Sequence, residues 1–352
     1  HNDSMMMFIH FIHCLLFLFF LACKKVDYDS CSDEIGLYKL AKYPIGYAID
    51  YSTLINDVNY SKIATQQFNS VTAEYAFKAE YLAPLEGVYN FSEADSIVAF
   101  ATRNNQRVHG HTLIWHLQIP NWIKDFNGNN NDWELLFKNY IQTVVLHFKN
   151  KVTAWDVVNE AFNEDGTLRN SIWKEKLGST YIERAFKYVQ EVDNNVLLFY
   201  NDYNLESNTA KRNAVIQLLN NLRLKGVKVN GIGLQMHINT TNPELTQIAI
   251  AIKQVVDNQY QLHIAELDIS VNPLSKDMLF TADLASMQAS LYAGIIQHYN
   301  QIAKAYQYGI TFWGITDRYS WIRSYYNRID FPLLYDDNYL PKPAYCAIKS
   351  QL

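Results

Sequence analysis

The stretch Thr153-Ala-Trp-Asp-Val-Val-Asn-Glu160 decides the fold of this chain. It is short and mostly apolar, so it predicts a buried strand. The strand ends abruptly in an amide and a carboxylic acid, Asn159 and Glu160. We therefore interpret the rest of the chain as a scaffold that positions Glu160.

Seven further apolar runs of strand length occur in the chain, and stretches with helical periodicity separate them. Such alternation is typical of βαβ units and of a parallel sheet whose strands are buried on both faces. The predicted strands are Ile45–Asp50, Ser70–Glu74, Arg107–Ile114, Thr153–Asn159, Val196–Asn201, Gly231–His237, His263–Asp268 and Gly309–Gly314. Eight strands close a (β/α)8 TIM barrel, and amphipathic segments such as Trp133–Phe148 and Tyr181–Val192 are its expected outer helices.

Length and composition fit one globular enzyme-sized unit. The 352 residues allow one large domain or two small ones, but no linker or second compositional zone follows Lys39. We expect a single α/β domain over residues 40–352.

The net charge of −5 gives no attraction for nucleic acid or for an anionic membrane, so neither is an expected partner. The abundance of Tyr (25), Phe (18) and Trp (7) weakly indicates a carbohydrate ligand, because sugar faces stack on aromatic rings.

The amino-terminal residues predict export. Met5 to Ala22 form an apolar run, so residues 1–22 are interpreted as a signal peptide rather than a membrane anchor. Phe20-Leu-Ala-Cys23 resembles a bacterial lipoprotein processing site, which would leave Cys23 lipidated. Plain secretion and a misassigned upstream extension are the alternatives. The expected location is therefore secreted, or an outer-surface or periplasmic lipoprotein, with residues 23–39 as a linker or leading segment.

The four cysteines are Cys14, Cys23, Cys31 and Cys346, and no two of them form a CxxC pair. Three lie in the first few dozen residues, which leaves one cysteine in the body of the chain. We therefore expect neither a disulfide framework nor a metal site built on cysteine.

Polar and aromatic side chains collect at the carboxyl ends of the predicted strands, where (β/α)8 barrels build their active sites. They are Glu74, His111, Glu160, Asn201, Asp202, His237, Glu266 and Trp313. Two of them stand out: Glu160 ends strand four and Glu266 lies near the end of strand seven, and these two strands face each other across the barrel mouth. Glycoside hydrolysis needs two such carboxyls, and a separation of about 5 to 5.5 Å gives retention of configuration.

Two of these segments, Trp155-Asp-Val-Val-Asn-Glu160 and Ile264-Ala-Glu-Leu-Asp268, resemble the catalytic strands of glycoside hydrolase family 10 endo-β-1,4-xylanases. Other blocks resemble the family's signatures in the same order: Gly110-His-Thr-Leu-Ile-Trp-His116, Phe199-Tyr-Asn-Asp-Tyr203, Gly233-Leu-Gln-Met-His237, Phe312-Trp-Gly-Ile-Thr-Asp317, Tyr319-Ser-Trp321 and Lys342-Pro-Ala-Tyr345. The resemblance covers Tyr43 to Leu352. It implies a retaining endo-1,4-β-xylanase on a (β/α)8 barrel, without a cofactor and with xylan or xylo-oligosaccharides as substrate.

The resemblance also implies roles for individual residues. Glu160 would be the acid/base and Glu266 the nucleophile, while Asn159 would bind the sugar 2-hydroxyl and His237 would hold the nucleophile. The implied substrate contacts are Gln235 beside the nucleophile, Glu74, Lys78, His111 and Gln118 on the non-reducing side, Trp115, Trp313 and Trp321 as aromatic walls, and Tyr203 on the leaving-group side.

Some residues keep an alternative interpretation. If Trp115 and Trp313 do not bind substrate, they would be ordinary residues of the hydrophobic core. The three histidines at 109, 111 and 116 invite a metal interpretation, but no carboxylate completes a zinc spacing such as HExxH, so no metal is expected.

The chain departs from the family pattern near the non-reducing side. Tyr75 stands where the family usually has Asn, Ala79 where it has Trp, and Leu117 where it has Ser. A related barrel glycosidase acting on β-1,4-glucan or on decorated xylan therefore stays open as an alternative, as does a non-catalytic polysaccharide-binding barrel. A monomer is expected.

Overall fold

Nine parallel strands form one sheet in residues 31–352, the part of the chain that a computed structural model describes. They are β1 Ile45–Ile49, β2 Ser70–Ala73, β3 Arg107–Ile114, β4 Ala154–Asn159, β5 Leu197–Asp202, β6 Gly231–Leu234, β7 His237–Asn239, β8 Gln261–Ser270 and β9 Gln307–Phe312. Neighbouring strands follow the order β6-β5-β4-β3-β2-β1-β9-β8, and pairing of β6 with β8 closes the ring. The eight-stranded barrel predicted from the sequence is confirmed.

Helices fill the connections between the strands. They are α1 Leu37–Leu40, α2 Tyr51–Asn56, α3 Val58–Gln67, α4 Ala79–Leu82, α5 Ser92–Arg103, α6 Asn121–Lys124, α7 Asn130–His147, α8 Ile172–Leu177, α9 Tyr181–Val192, α10 Thr209–Leu224, α11 Leu245–Asp257, α12 Ala282–Asn300, α13 Trp321–Tyr326 and α14 Pro343–Lys349. In α9 the buried residues recur on one face, as at Ile182, Phe186 and Val189. That face packs against the barrel and leaves the opposite one to solvent.

The predicted sixth strand, Gly231–His237, is interrupted. The pairing of residues with β5 ends at Leu234, and His237 begins the short strand β7, which pairs with β8 outside the ring. Between the two pieces Met236 adopts a φ of 61°, a left-handed conformation that turns the chain. The predicted seventh strand is longer than expected, because β8 continues to Ser270.

The interior of the barrel holds a cluster of aromatic and imidazole rings. The ring centroids of His109 and His263 lie 4.6 Å apart, and those of Phe199 and Tyr308 lie 4.5 Å apart. These residues come from β3, β5, β8 and β9, so they meet only inside the ring of strands. The larger apolar core lies between the barrel and the surrounding helices.

One disulfide is present that the cysteine pattern did not predict. Cys31 is bonded to Cys346 on α14, and their Cα atoms lie 5.7 Å apart. The side chains of Gln66 and Gln67 also donate hydrogen bonds to the carbonyl oxygen of Asp33. The pairing joins positions 315 residues apart, so local cysteine spacing carried no signal for it.

The predicted signal peptide, residues 1–22, and Cys23 lie outside the described residues. In the described part, residues 31–352, we find no helix with both the length and the apolar character needed to cross a bilayer. The predicted boundary between the leading segment and the barrel domain at residue 40 stays a prediction.

Candidate active site

A cleft of about 680 Å³ opens at the carboxyl ends of the strands. Every residue to which the family resemblance gives a role lines it: Glu74, Lys78, His111, Trp115, Gln118, Asn159, Glu160, Tyr203, Gln235, His237, Glu266, Trp313 and Trp321. Asn201 and Asp202, the other polar residues predicted at strand ends, are buried and do not line it. The fold therefore brings the predicted set together around one opening. The role of each residue stays a prediction.

Four non-glycine residues in the loops after β3 to β6 have left-handed backbone conformations. The φ angles are 46° at Gln118, 57° at Glu160, 58° at Asn204 and 61° at Met236. Such a conformation costs roughly 1–2 kcal/mol for a residue with a side chain. Backbone strain of this kind concentrates at functional sites, and here it turns the chain abruptly where each loop enters the cleft.

The Glu160 carboxyl is fixed by donors from two other segments of the chain. Trp115 Nε1 lies 2.7 Å from Oε2, and Gln235 Nε2 lies 2.9 Å from Oε1. The Asn159 amide lies 3.3 Å from the same Oε1. The side chain keeps 12% of its surface exposed, so the group is held in place but can be reached from the cleft.

The Glu266 carboxyl is almost fully buried and surrounded by donors. Asn201 Nδ2 lies 2.7 Å from Oε1, and His237 Nε2 lies 2.9 Å from Oε2. Burial by itself would raise the pKa of Glu266. The charge of His111, the hydrogen bond and charge of His237, and the charge of Lys78 outweigh burial and hold the pKa below its ordinary value. Glu266 is therefore ionised at neutral pH, as a carboxylate nucleophile must be.

His237 lies between two carboxylates. Its Nδ1 is 2.9 Å from Asp268 Oδ2, opposite the contact with Glu266. Burial would lower the pKa of His237, but the charges and hydrogen bonds of the two carboxylates raise it well above its ordinary value. Trp321 Nε1 donates to the same Asp268 oxygen at 2.8 Å. The charged imidazole thus connects Glu266, through Asp268, to Trp321 on one wall of the cleft.

A second chain of contacts leads from Glu266 into the barrel. His111 Nε2 is 3.8 Å from Glu266 Oε1, and its Nδ1 is 2.8 Å from Asp156 Oδ2. Asp156 Oδ1 lies 3.0 Å from His109 Nε2. Burial would raise the pKa of Asp156, but His109 and His111 hold it far below its ordinary value. These buried charges fix the orientation of His111 at the base of the cleft.

The predicted non-reducing side carries a buried cation beside a carboxyl group. Lys78 Nζ lies 4.8 Å from the ring centroid of Trp115 and 5.3 Å from that of Tyr75. Burial lowers the pKa of Lys78, although Glu266 and Glu74 oppose this. Burial raises the pKa of Glu74 to about 7, against the opposing effects of Tyr75 and Lys78. Glu74 therefore changes its charge near neutral pH.

Several residues at the site had no role predicted from the sequence. Asn201 was recognised only as a strand end, yet it contacts Glu266 directly. Arg169 was missed; its Nε donates to the Glu160 carbonyl oxygen at 2.9 Å and its Nη2 to Tyr203 Oη at 2.9 Å. Tyr325 lines the cleft, and its i, i+4 spacing from Trp321 on α13 was a usable signal.

The glycine at position 233 makes room for Asn201. A Cβ atom at Gly233 would lie 2.2 Å from Asn201 Oδ1, too close for any side chain. Glycine at this point of β6 therefore allows the amide to contact the nucleophile.

The histidines near the site are engaged with carboxylates. His109 and His111 both contact Asp156. Among the described residues, 31–352, no group of three or more His, Cys, Asp or Glu side chains is arranged to hold a metal ion.

A closed (β/α)8 barrel with two carboxyl groups in a tryptophan-walled cleft defines a glycoside hydrolase of the two-carboxylate type. The comparison with known families agrees, because a sequence model described as glycosyl hydrolase family 10 matches residues 36–351. The chain belongs to glycosyl hydrolase family 10.

Individual relatives show the same likeness. The chain is 36% identical to endo-1,4-beta-xylanase B of Thermotoga neapolitana, over 90% of this chain and 92% of the relative. The solved structure of xylanase 10B from Thermotoga petrophila, in complex with xylobiose, matches with a TM-score of 0.84 at 37% identity, over 90% of this chain and 97% of that one. Exoglucanase XynX of Acetivibrio thermocellus is 37% identical over 87% of this chain, which spans 28% of that longer protein.

Proposed function

We propose that the protein is an endo-1,4-β-xylanase, which hydrolyses internal β-1,4-xylosidic bonds of xylan with retention of anomeric configuration. The observation that carries the proposal is the ionised Glu266 in the same cleft as the donor-bound carboxyl of Glu160. The relative from Thermotoga neapolitana, named as an endo-1,4-beta-xylanase, and the xylobiose complex of the Thermotoga petrophila enzyme support the choice of substrate.

The reaction proceeds in two displacements. A carboxylate oxygen of Glu266 attacks the anomeric carbon, and the bond to the leaving sugar oxygen breaks as that oxygen takes the proton of Glu160. The product is a glycosyl ester on Glu266. Glu160, now ionised, then takes a proton from water, whose oxygen attacks the same carbon and frees Glu266. One water molecule is consumed, and both carboxyl groups return to their starting states.

The other cleft residues hold the sugar chain during these steps. Asn159 is proposed to bind the 2-hydroxyl of the reacting sugar, where a hydrogen bond that strengthens in the transition state raises kcat. Tyr203 is proposed as the stacking platform for the leaving-group side, and Lys78 as a donor to hydroxyls on the non-reducing side. Three tryptophans wall the cleavage site: Trp115, Trp313 and Trp321.

Removal of each acid separates the two roles. Glu266→Ala is expected to lower kcat on unactivated xylan roughly 10⁴-fold, because no group then forms the covalent intermediate. Glu160→Ala is expected to lose activity on xylan but to keep the first step on an aryl xylobioside with an activated leaving group, which departs without a proton. Release of reducing sugar and a burst of aryl alcohol measure the two effects.

Glu183 on the outer helix α9 is the control, and Glu183→Ala is expected to leave both rates unchanged. Near wild-type hydrolysis of xylan by Glu266→Ala would disprove the nucleophile assignment.

A related substrate, β-1,4-glucan or a decorated xylan, is the second candidate. Tyr75 and Ala79 replace the residues that the family usually has beside Glu74 and Lys78, and one relative is named an exoglucanase. Initial rates on linear xylan, arabinoxylan, xyloglucan and carboxymethylcellulose distinguish the substrates. A higher kcat/KM on a glucan than on every xylan would replace the proposed activity.

The proposed location is outside the cytoplasm, either secreted or anchored through a lipid on Cys23, and the proposed state is a monomer. The apolar run before Cys23 supports export, and the Cys31–Cys346 disulfide is consistent with an oxidising compartment. Labelling of the expressed protein with a radioactive fatty acid tests the lipid. Loss of the label in Cys23→Ala is expected, and absence of label in the wild type would favour plain secretion.

A further inference from the structure

Lysine side chains collect at the end of the barrel opposite the cleft. Eight connections lead into the barrel strands at their amino ends and together form the amino-end face. Within residues 31–352 these connections contain one acidic residue, Asp193, which is buried and accepts hydrogen bonds from the backbone of Asn195 and Val196. They contain six exposed or half-buried lysines: Lys42, Lys149, Lys151, Lys225, Lys228 and Lys304.

Carboxylates neutralise only part of this charge. Lys225 is paired with Glu183 at 2.7 Å, and Lys151 lies 4.0 Å from Asp95. The other four have no carboxylate within 4.0 Å in the described part of the chain: Lys42, Lys149, Lys228 and Lys304. The amino-end face therefore keeps a positive charge. Because the whole chain carries a net charge of −5, the rest of the molecule is negative.

The helix dipole accounts for cations at this end of the barrel, because the carboxyl ends of the outer helices lie there. Lys39 and Arg103 stand in the last turns of α1 and α5 for the same reason. Stabilisation of the helices and attraction for an anionic surface are both compatible with exposed lysines. The two explanations differ in one respect, since only attraction predicts that an anionic surface covers these side chains.

The amino-terminal end of the described chain lies at the same face. Cys31 is bonded to Cys346 on α14. The carbonyl oxygen of Asp33 accepts a hydrogen bond from Gln67, the last residue of α3, which leads into β2. Cys23, the proposed site of the lipid, precedes Cys31 by eight residues, so their Cα atoms are at most about 28 Å apart. A lipid on Cys23 would therefore hold this end of the barrel close to a membrane.

We propose that the amino-end face rests on a membrane surface that contains anionic phospholipid headgroups. The inference rests on the proposed anchoring through Cys23 and adds the orientation of the enzyme. Screening limits the attraction to charges within about 10 Å of the headgroups, so the sign of the nearest face matters more than the net charge. The cleft then points away from the membrane, toward a polysaccharide outside it.

Incorporation into two kinds of vesicle tests the orientation with the unmodified protein. The full chain is purified in detergent and incorporated into vesicles of phosphatidylcholine, or of an approximately 3:1 mixture with phosphatidylglycerol, which makes the surface anionic. A water-soluble reagent acetylates exposed lysines, and mass spectrometry follows each site. In the anionic vesicles Lys42 and Lys304 are expected to react about threefold more slowly than in the neutral ones, and raised salt is expected to remove the difference. Lys124 on α6, at the cleft end of the barrel, is expected to react equally in both.

Charge reversal at each end of the barrel gives a matched pair of variants. Lys42→Glu combined with Lys304→Glu is expected to restore fast acetylation of Lys149 in the anionic vesicles, because the face loses its attraction. Lys124→Glu combined with Lys176→Glu changes the net charge equally, but at the cleft end, and is expected to leave Lys149 protected. The four substituted lysines are exposed. Hydrolysis of xylan at the wild-type rate shows that both variants are folded.

Equal acetylation of the amino-end face in the two kinds of vesicle would overturn the proposal and leave its lysines as stabilisers of helix ends. Protection by soluble polygalacturonate, without protection by phosphatidylglycerol, would overturn it in favour of an acidic polysaccharide.

The proposed anchor and activity fail separately from the orientation. A wild type that does not float with neutral vesicles would contradict the anchor. Flotation with anionic vesicles then tests the face, and the wild type is expected to float whereas Lys42→Glu with Lys304→Glu is not. A wild type that does not hydrolyse xylan would contradict the proposed activity alone.

Discussion

His237 contacts the carboxyl of Glu266, the proposed nucleophile, and together with His111 favours its ionised form. It lies within 2.9 Å of both Glu266 and Asp268, and the two carboxylates keep it protonated. Glu266 is buried, and burial raises the pKa of a carboxyl when no positive charge opposes it. The state of the nucleophile at a given pH therefore depends on this imidazolium and on His111.

His237→Gln is expected to move the acidic limb of the kcat/KM profile to higher pH. Activity needs ionised Glu266, whose pKa lies below its ordinary value in the folded enzyme. Glutamine can still donate a hydrogen bond but carries no charge, so the pKa rises and activity is lost at a higher pH as the solution is acidified. The profile of kcat/KM on xylohexaose against pH measures the shift.

His147 supplies the control for this experiment. It also lies 2.9 Å from a carboxylate, Asp95, but on the outer helix α7. His147→Gln is expected to leave the acidic limb unchanged. An acidic limb at the wild-type position in His237→Gln would show that the imidazolium does not set the pKa of Glu266.

The strand pattern identified side chains at strand ends, and the family resemblance added some from loops and helices, such as Lys78 and Trp321, but neither identified Arg169. Glu160 could be predicted because it follows an apolar run directly, and Glu266 because it lies near the carboxyl end of the predicted run, although β8 continues beyond it to Ser270. Arg169 lies in a loop and acts through the Glu160 carbonyl oxygen and Tyr203 Oη. Its role depends on a loop conformation that no sequence period describes.

The strands show the same distinction between regular and irregular structure. Seven of the predicted strands overlap a single strand of the barrel, because two-sided burial leaves a clear apolar run. The remaining one, the predicted sixth strand Gly231–His237, is divided at Met236. Met236 has a left-handed φ, a conformation that a methionine does not favour. Hydrogen bonds with neighbouring strands impose that conformation, including one from Asp268 N to Met236 O.

The loop after β4 joins Glu160, the proposed acid/base, to Tyr203, the proposed platform for the leaving group. It folds back on itself through a bridge between Phe162 and Leu168, and Arg169 then holds Glu160 and Tyr203 together. Arg169→Met is expected to raise KM for xylohexaose roughly fivefold with a smaller effect on kcat, because loss of one hydrogen bond to the Tyr203 platform is worth about 1 kcal/mol. Steady-state kinetics separate the two parameters.

Arg184→Met is the matched control for the loop, since Arg184 pairs with Glu134 between outer helices, away from the cleft. Its KM is expected to stay at the wild-type value. A fall in kcat with unchanged KM in Arg169→Met would show that the arginine acts on the chemical step and not on the platform.

The two ends of the described chain meet at one disulfide, and this contact affects the stability of the whole barrel. Cys31 precedes the first helix, while Cys346 lies on α14, which packs against α12. A cross-link over 315 residues strongly restricts the unfolded chain, which raises the free energy of unfolding. The sequence could not predict it, because the two cysteines become neighbours only when the barrel closes.

Cys346→Ser is expected to lower the free energy of unfolding by about 2–4 kcal/mol, with kcat/KM at 25 °C unchanged, since neither cysteine lines the cleft. Thermal unfolding of wild type and variant, each with and without a thiol reductant, measures the effect. Reductant is expected to lower the Tm of the wild type and to leave that of the variant alone. Cys31→Ser should match Cys346→Ser, and the double variant should be no less stable than either, because all three lack the same bond. Additive losses in the double variant would mean that the cysteines stabilise the fold by packing separately and not through their cross-link.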